Sequence, residues 1–366
     1  MDSQVVAEAM HQAVEQGIAP GMVVAALQED GDPHVLAAGW RALAPRQEPM
    51  LVDTLFDLAS LTKVLATTTL CMLLVQRGLL DLDAPLARLD AGLVGGRVGQ
   101  LTPRLLLLHA AGFPPSITYY KGEPPRVPDG RARRERVLQA IGRAELAYEP
   151  GTECRYSDVG MMLLGALLER ISGCRLDHLF EREVAQPLGL RDTFYRHLEE
   201  PLAKACRPPE AFAATEACSW RGEIVRGWVH DENAYLLLGV AGHAGLFATA
   251  TDVLRLASTL LSAWSGASEF VGRDTVRQFV RRHDEVPGSD RALGWGTATA
   301  GASCGSRFSP ASFGHTGFTG TSVWIDPEAR RVVVLLANRI HPSRDNAAFL
   351  QFRPGFHDLV VEAMES

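Results

Sequence analysis

Apolar and polar positions follow two rhythms along this chain. Residues 2–16 repeat their apolar positions at helical spacing and stop at Gly17, which predicts an amphipathic helix. Two apolar runs follow, 21–27 and 35–40, separated by the turn-rich Gln28-Glu29-Asp30-Gly31-Asp32-Pro33; they read as an antiparallel hairpin. From Asp57 to Gly78 nearly every face is apolar. This stretch reads as one buried helix, with Asp57 as its cap and Gly78 as its left-handed stop. Helical patterns dominate from there to about residue 206. They include 102–109 with Pro103 in the first turn, the segment after the basic run 131–136, and 159–172 ahead of Gly173. The Pro-, Gly- and Tyr-rich stretch 116–130 is expected to form the rim of a binding site. A small-residue turn at 239–247 leads to a helix near 251–261 capped by Thr249 or Thr251. The period then returns to two: 312–317, 321–326 and 331–338 read as strands, 326–330 as the turn joining the last two, and 355–364 as a closing helix.

Sheet signals at both ends with helices between them predict an α+β fold: one antiparallel sheet formed by both chain ends, flanked by helices, with an inserted helical lobe. Residues 1–75 and 240–366 would form the sheet lobe and 76–239 the mostly helical lobe of one composite catalytic domain. At 366 residues, with 46% apolar and 22% charged positions, the chain can bury a large core. A net charge of −7 argues against nucleic acid as the main partner, and the basic run reads as a solvated helix face. No apolar run reaches the length of a membrane span. The first sixteen residues carry acids and no lysine or arginine, unlike a secretory signal, so the expected location is cytoplasmic, or periplasmic if a leader has been removed. Six scattered cysteines without a C-x-x-C pair read as free thiols. No cofactor or metal is implied. The expected partner is a small-molecule acyl substrate, with the oligomeric state left open.

The candidate chemistry begins at Ser60 and Lys63. Three residues apart, they share a face at the start of the core helix. A buried lysine tends to lose its proton and become a base, and an amine beside a serine at a helix N-terminus builds a nucleophile. This is the only S-x-x-K in the chain. Two further motifs each occur once. Tyr156-Ser157-Asp158 opens the helix beginning near Val159, which places the phenol on a turn within reach of Lys63. His315-Thr316-Gly317 lies on the expected edge strand, whose backbone can pair with an extended ligand. Other candidates are weaker. Gly301-Ala302-Ser303-Cys304-Gly305 fits G-x-S-x-G but lacks the strand and helix of a nucleophile elbow. His230-Asp231-Glu232-Asn233 with His243 lacks metal-ligand spacing and reads as the polar part of a buried loop. The turn 242–245 would line the cleft floor, and His109 would cap carbonyls at a helix end.

Together these segments resemble the serine β-lactamases of class C and the related D,D-peptidases, D-aminopeptidases and esterases. The resemblance rests on Phe56-Asp57-Leu58-Ala59-Ser60-Leu61-Thr62-Lys63, the turn at 78–85, the stretches 101–114 and 149–173, and 314–327; it spans about residues 20–340. It implies a β-lactamase/transpeptidase-like fold with Ser60 as the nucleophile of an acyl-enzyme. Lys63 and Tyr156 would share the base work, Lys63 supplying the positive charge a phenol needs to act near neutrality. The backbone N–H groups of Ser60 and Phe318 would form the oxyanion hole, and Thr316 would contact a substrate carboxylate or backbone. Asp158, His315 and Gly317 would complete the substrate-binding set. Two positions depart from the family pattern. His315 stands in place of lysine and, only partly charged at pH 7, would recognise a carboxylate weakly and pH-dependently. Asp158 stands in place of asparagine; as a carboxylate it cannot donate to a substrate carbonyl and would hold an amine or keep Lys63 charged. The implied function is a serine hydrolase acting on an ester, a D-amino-acid peptide or a β-lactam. The alternative is a penicillin-binding, sensor-type protein that acylates but turns over poorly; a silenced scaffold ranks third.

Overall fold

The computed structural model describes residues 1–28, 31–126 and 128–366. Glu29 and Asp30 of the expected first hairpin turn, and Val127 of the expected rim loop, lie outside the described residues. The strands are β1 (Gly21–Gln28), β2 (His34–Ala42), β3 (Glu48–Pro49), β4 (Phe56–Asp57), β5 (Thr193–Tyr195), β6 (Ala214–Cys218), β7 (Glu223–Arg226), β8 (Leu246–Ala248), β9 (Gly296–Thr297), β10 (Phe313–Gly317), β11 (Thr321–Asp326) and β12 (Arg331–Ala337). The α-helices are α1 (Ser3–Glu15), α2 (Thr69–Gln76), α3 (Leu86–Leu89), α4 (Pro103–Leu107), α5 (Gly130–Ile141), α6 (Asp158–Ser172), α7 (Leu176–Phe180), α8 (Glu232–Leu236), α9 (Ala250–Ser265), α10 (Arg273–Val280) and α11 (Ala348–Glu365).

The two ends of the chain build one antiparallel sheet, in the order β3-β2-β1-β12-β11-β10-β9. Strand β1 is central, with β2 on one side and β12 on the other; Met22 lies opposite Ala337 and Gln28 opposite Arg331. Both faces of β12 are covered. Val332, Val334 and Leu336 pack into the larger core with Leu256 and Leu260 of α9, while Val333 and Leu335 pack against Phe349 and Val360 of α11. A strand buried on both faces reads as a continuous apolar run, which is why residues 332–337 show no clean alternation. The larger core continues from the sheet through α2, α6 and α9. Among the described residues no helix is long and apolar enough to cross a membrane, and all six cysteines are free thiols.

Several expectations are corrected. The stretch from Asp57 does not open as a helix: Phe56 and Asp57 pair with β8, Ser60 lies on a turn, and residues 63–68 form a π-helical segment ahead of α2. Asp57 therefore caps nothing in this helix. The segment 239–247 is not all turn, since β8 joins β4 and β5 in a small second sheet; strands of two or three residues are too short to show a period. The closing helix starts at Ala348 and carries Pro354 in its interior. Proline there removes the N–H that would reach Leu350, a residue 44% exposed, so the lost bond falls on the solvent side. Finally, β10 is not the sheet edge: β9 pairs with Phe313 and Gly314, which leaves 315–317 without a ladder partner on that side.

Candidate active site

The turn that carries Ser60 is held from three directions. Asp57, buried, accepts the N–H of Ala59 at 2.8 Å with Oδ1 and the N–H of His230 at 2.6 Å with Oδ2. Ala59 sits at φ +46°, a left-handed conformation that alanine seldom adopts, and Ser60 follows it half-buried. The hydroxyls of Thr319 and Thr321 donate to the carbonyls of Asp57 (2.7 Å) and Leu58 (3.0 Å). Gly317 is pressed against this turn; a Cβ there would meet the Leu58 carbonyl at 2.4 Å, so only glycine lets the β10–β11 hairpin approach so closely.

Lys63 is fully buried, and its Nζ donates to Ser60 Oγ at 2.8 Å and to the His243 carbonyl at 3.1 Å; Asp158 Oδ1 lies 2.7 Å away. The π-helical turns carry both Lys63 and Thr67 outward to one loop, since the Thr67 hydroxyl donates to the Gly242 carbonyl at 2.7 Å. Burial acts to strip the lysine of its proton. The Asp158 carboxylate first, and the Tyr156 phenol after it, outweigh burial and hold the amine protonated beyond the ordinary lysine range. The expectation of a neutral resting amine is thus corrected: Asp158, the departure from the family pattern, keeps Lys63 charged.

Tyr156 lies in the extended segment ahead of α6, its ring between those of His109 (4.7 Å) and His315 (5.8 Å), with Lys63 Nζ 5.0 Å from its centroid. His109 closes α4 through its backbone, its N–H donating to the Leu106 carbonyl at 3.1 Å, while its side chain caps no carbonyl of that helix. It adopts φ +53° and its Nδ1 accepts the Ser157 N–H at 3.2 Å, so its ring is fixed against the phenol. Burial, then the charges of Arg291 and Lys63, push both His109 and His315 well below the usual imidazole range. His315 Nδ1 donates to the Thr316 carbonyl at 2.8 Å, which leaves Nε2 buried and, among the described residues, unpartnered. A neutral, accepting imidazole offers no charge to a carboxylate at pH 7, which corrects the expectation of partial charge.

These groups surround one cleft of about 620 Å³. Ser60, Tyr156, Asp158, His315, Thr316 and Phe318 line it, whereas Gly317 sits behind the wall and Lys63 beneath it. Ser116, Thr118 and Tyr120 of the expected rim loop reach it as well. Among the described residues the N–H groups of Ser60 and Phe318 have no acceptor. Phe318 is 46% exposed and stacks on His230. Beside this stack Arg344 Nη2 pairs with Glu232 at 2.7 Å, and His243 Nε2 pairs with Asp231 at 2.9 Å. The G-x-S-x-G segment is a loop, with Ser303 among the residues that line the cleft. Sequence reasoning missed Arg291, whose guanidinium carbon lies 5.3 Å from the Tyr156 centroid. The only local signal was its place just before the Gly294-Trp295-Gly296 turn.

The carbonyls that anchor Lys63 and Thr67 depend on two glycines packed face to face. A Cβ on Gly242 would meet the Met161 carbonyl at 2.2 Å, and one on Gly165 would meet Gly242 Cα at 2.7 Å. Gly242→Ala is expected to cost about 1–3 kcal/mol through overpacking. Gly355→Ala, in helix α11 with nothing within 4 Å, should be stabilising by a few tenths to about 1 kcal/mol. Denaturant midpoints of the two variants, moving in opposite directions, check this pair.

The family model described as Beta-lactamase matches residues 6–352. The chain is 34% identical over 312 residues to a protein of Escherichia coli O157:H7 described as "Putative D-alanyl-D-alanine carboxypeptidase", covering 79% of this chain and 70% of that one. Among solved structures it resembles EstCE1, a hydrolase with promiscuous acyltransferase activity, at 25% identity and TM-score 0.73 over 98% of each chain. It also shares its fold with the D-amino acid amidase of Ochrobactrum anthropi SV3 (22% identity, TM-score 0.73, 99% and 98% coverage). The chain that brings this serine and tyrosine to the cleft, with the lysine beneath them, therefore belongs to the β-lactamase family of hydrolases and has the β-lactamase/transpeptidase-like fold.

Proposed function

We propose that the protein hydrolyses an acyl substrate (an ester, a D-amino-acid peptide or a β-lactam) through an acyl-enzyme on Ser60. The observation that carries this reading is the 2.8 Å contact between Lys63 Nζ and Ser60 Oγ at the edge of a cleft shared with Tyr156. In acylation the Ser60 Oγ–C bond forms, the bond from the carbonyl carbon to the leaving group breaks, and the serine proton ends on the leaving group. Because Lys63 rests as an ammonium, it must pass a proton on before it can take one from serine; Asp158, 2.7 Å away, is its nearest acceptor. Tyr156 carries the proton to the leaving group, and the free N–H groups of Ser60 and Phe318 stabilise the oxyanion. Water then releases the acyl group and restores the serine.

The 34% identical relative's name favours peptide acids among the substrate classes. The test is a panel on the purified protein: p-nitrophenyl acetate, a D-amino-acid amide, an N-acyl-D-alanyl-D-alanine and nitrocefin. Turnover of at least one is expected. A stoichiometric acyl adduct that persists for hours in intact-mass spectra without turnover would favour the sensor-type alternative instead. Neither turnover nor adduct with any of the four would remove the proposal.

A further inference from the structure

We propose that His109 is the positioning residue of Tyr156: its carbonyl and its ring nitrogen grip the backbone on either side of the phenol and fix the hydroxyl where it can hand a proton to the leaving group. This rests on the acyl-transfer reading of the same cleft. It gives a role in the reaction to a buried histidine that is not among the residues lining the cleft.

The grip consists of hydrogen bonds at positions 155 and 157. The His109 carbonyl accepts the Arg155 N–H at 2.9 Å, and His109 Nδ1 accepts the Ser157 N–H at 3.2 Å. Tyr156 lies between these two anchors. The stretch that follows His109 holds the neighbouring positions: Ser157 Oγ donates to the Pro114 carbonyl at 2.7 Å, and the Asp158 N–H to the Pro115 carbonyl at 3.0 Å. The Tyr148 hydroxyl also donates to the His109 carbonyl, at 3.1 Å. One residue presents both its carbonyl and its ring to the same segment because the chain turns left-handed there, at φ +53°. Histidine and asparagine visit that conformation more readily than most side chains.

The ring is a second restraint. Its centroid lies 4.7 Å from that of Tyr156 with the planes tilted by 39°, in the contact range of an aromatic pair. Burial, and after it the charges of Arg291 and Lys63, keep this imidazole neutral. The grip needs that neutrality, since a protonated imidazole donates from both nitrogens and cannot accept the Ser157 N–H. Positive charge at the phenol comes from other residues, with Lys63 Nζ 5.0 Å and the Arg291 guanidinium carbon 5.3 Å from the ring centroid. Those cations set the charge around the phenol, and His109 sets its position. In acylation the bond to the leaving group breaks and its electron pair takes the phenol proton; the serine proton, passed on through Lys63, refills the phenol. The hydroxyl therefore serves two partners from one place, and a displacement of about 1 Å costs on the order of 100-fold in rate.

The test uses two substrates with the same acyl group, a D-amino-acid amide and the matching p-nitrophenyl ester. The amide nitrogen must be protonated to leave, whereas p-nitrophenolate leaves as an anion. Where the wild type does not turn over the amide, the ethyl ester of the same acid, whose leaving alkoxide also needs a proton, takes its place. His109→Phe keeps a ring against the phenol and removes the acceptor of the Ser157 N–H. It should lower kcat for the amide on the order of 10–100-fold with little change in KM, and spare the p-nitrophenyl ester. His109→Asn tolerates the left-handed backbone and offers an oxygen at the place of Nδ1, so it should recover most of the lost amide rate. His109→Gln carries its amide one bond further out and should behave as His109→Phe does, which keeps the test decisive if the phenylalanine variant fails to fold. In a Tyr156→Phe background the amide-to-ester ratio should fall no further when His109 is replaced. Equal losses on both substrates, a ratio unchanged by either variant, or a further fall without the phenol would overturn the assignment. So would a wild type that turns over the p-nitrophenyl ester alone, since no proton delivery would then need positioning. Failure of the acyl-transfer reading looks different: Ser60→Ala would turn over substrate as the wild type does.

Discussion

Ser60→Ala is expected to lower kcat by about 10⁴-fold or more on every substrate the wild type turns over, because the atom proposed to form the covalent bond is gone. What remains is binding and the two free N–H groups of Ser60 and Phe318, which do not depend on the hydroxyl. Stability should barely change. Among the described residues the only polar partner of Ser60 Oγ is Lys63 Nζ, and that amine keeps Asp158 at 2.7 Å and the His243 carbonyl at 3.1 Å. The expected shift is within about 0.5–1 kcal/mol, in the range of one ordinary hydrogen bond. Steady-state kinetics beside a thermal melt separates the two effects. A variant that melts normally and retains activity within tenfold of wild type would contradict the proposed chemistry.

Asp158→Asn is expected to alter both stability and rate, in a way the wild-type geometry dictates. In the wild type the Lys63 pKa is raised above its unfolded value of about 10.4. The stability it contributes is therefore fully present below that value and lost as pH rises through the higher folded one. Removing the Asp158 charge leaves burial opposed only by the phenol, so the folded pKa drops below the unfolded one and the sign reverses. The variant should then be least stable at and below its lowered folded pKa, and should gain stability as pH rises from there toward about 10.4, the window in which the unfolded chain holds the proton and the folded chain does not. Breaking one side of a buried pair costs about 3–5 kcal/mol; with Asp158 a quarter exposed, the low end, about 3 kcal/mol, is expected at pH 7. Urea unfolding between pH 6 and pH 10 should show a flat wild-type line and a rising line for the variant. The rate should move the other way. A neutral amine can accept the serine proton directly and the amide can donate to an acyl carbonyl, so acylation by a β-lactam is expected to quicken about tenfold, with the acid limb of its pH profile shifted down. Parallel stability lines for the two proteins would show that Asp158 does not set the charge of Lys63.

The parts of this fold legible in the sequence are those whose signal is long or repeated. The strands at 21–27, 35–40, 321–326 and 331–338 show as sustained apolar runs, and their positions at the two ends already imply a sheet closed by the termini. Helix α6 is bounded by Asp158 and by Gly173 at φ +61°, both visible locally. Strands β4, β5 and β8 are two or three residues long and owe their existence to one another, so no window of sequence reveals them. The expected start of the closing helix at 355 stops short of Pro354, whose missing N–H local rules weigh without the core that Phe349, Phe356 and Val360 fill on either side of it. In the site, the three motifs mark the segments that build the cleft, but ionisation depends on neighbours far off in the chain. Lys63 is buried, as its apolar surroundings imply, yet its charge is set by Asp158. His315 is neutral because of burial and of Arg291, 24 positions upstream by its number, and that arginine belongs to no motif.

The most direct measurement is the location of the covalent intermediate. The protein is mixed with a β-lactam or an activated ester, quenched in acid within the acylation phase, digested, and mapped by tandem mass spectrometry. The predicted result is one acyl group per chain, on the peptide containing Ser60, and none on the Ser60→Ala protein. Acyl groups on another nucleophile of the cleft such as Ser303, or continued turnover with residue 60 never modified, would contradict the account.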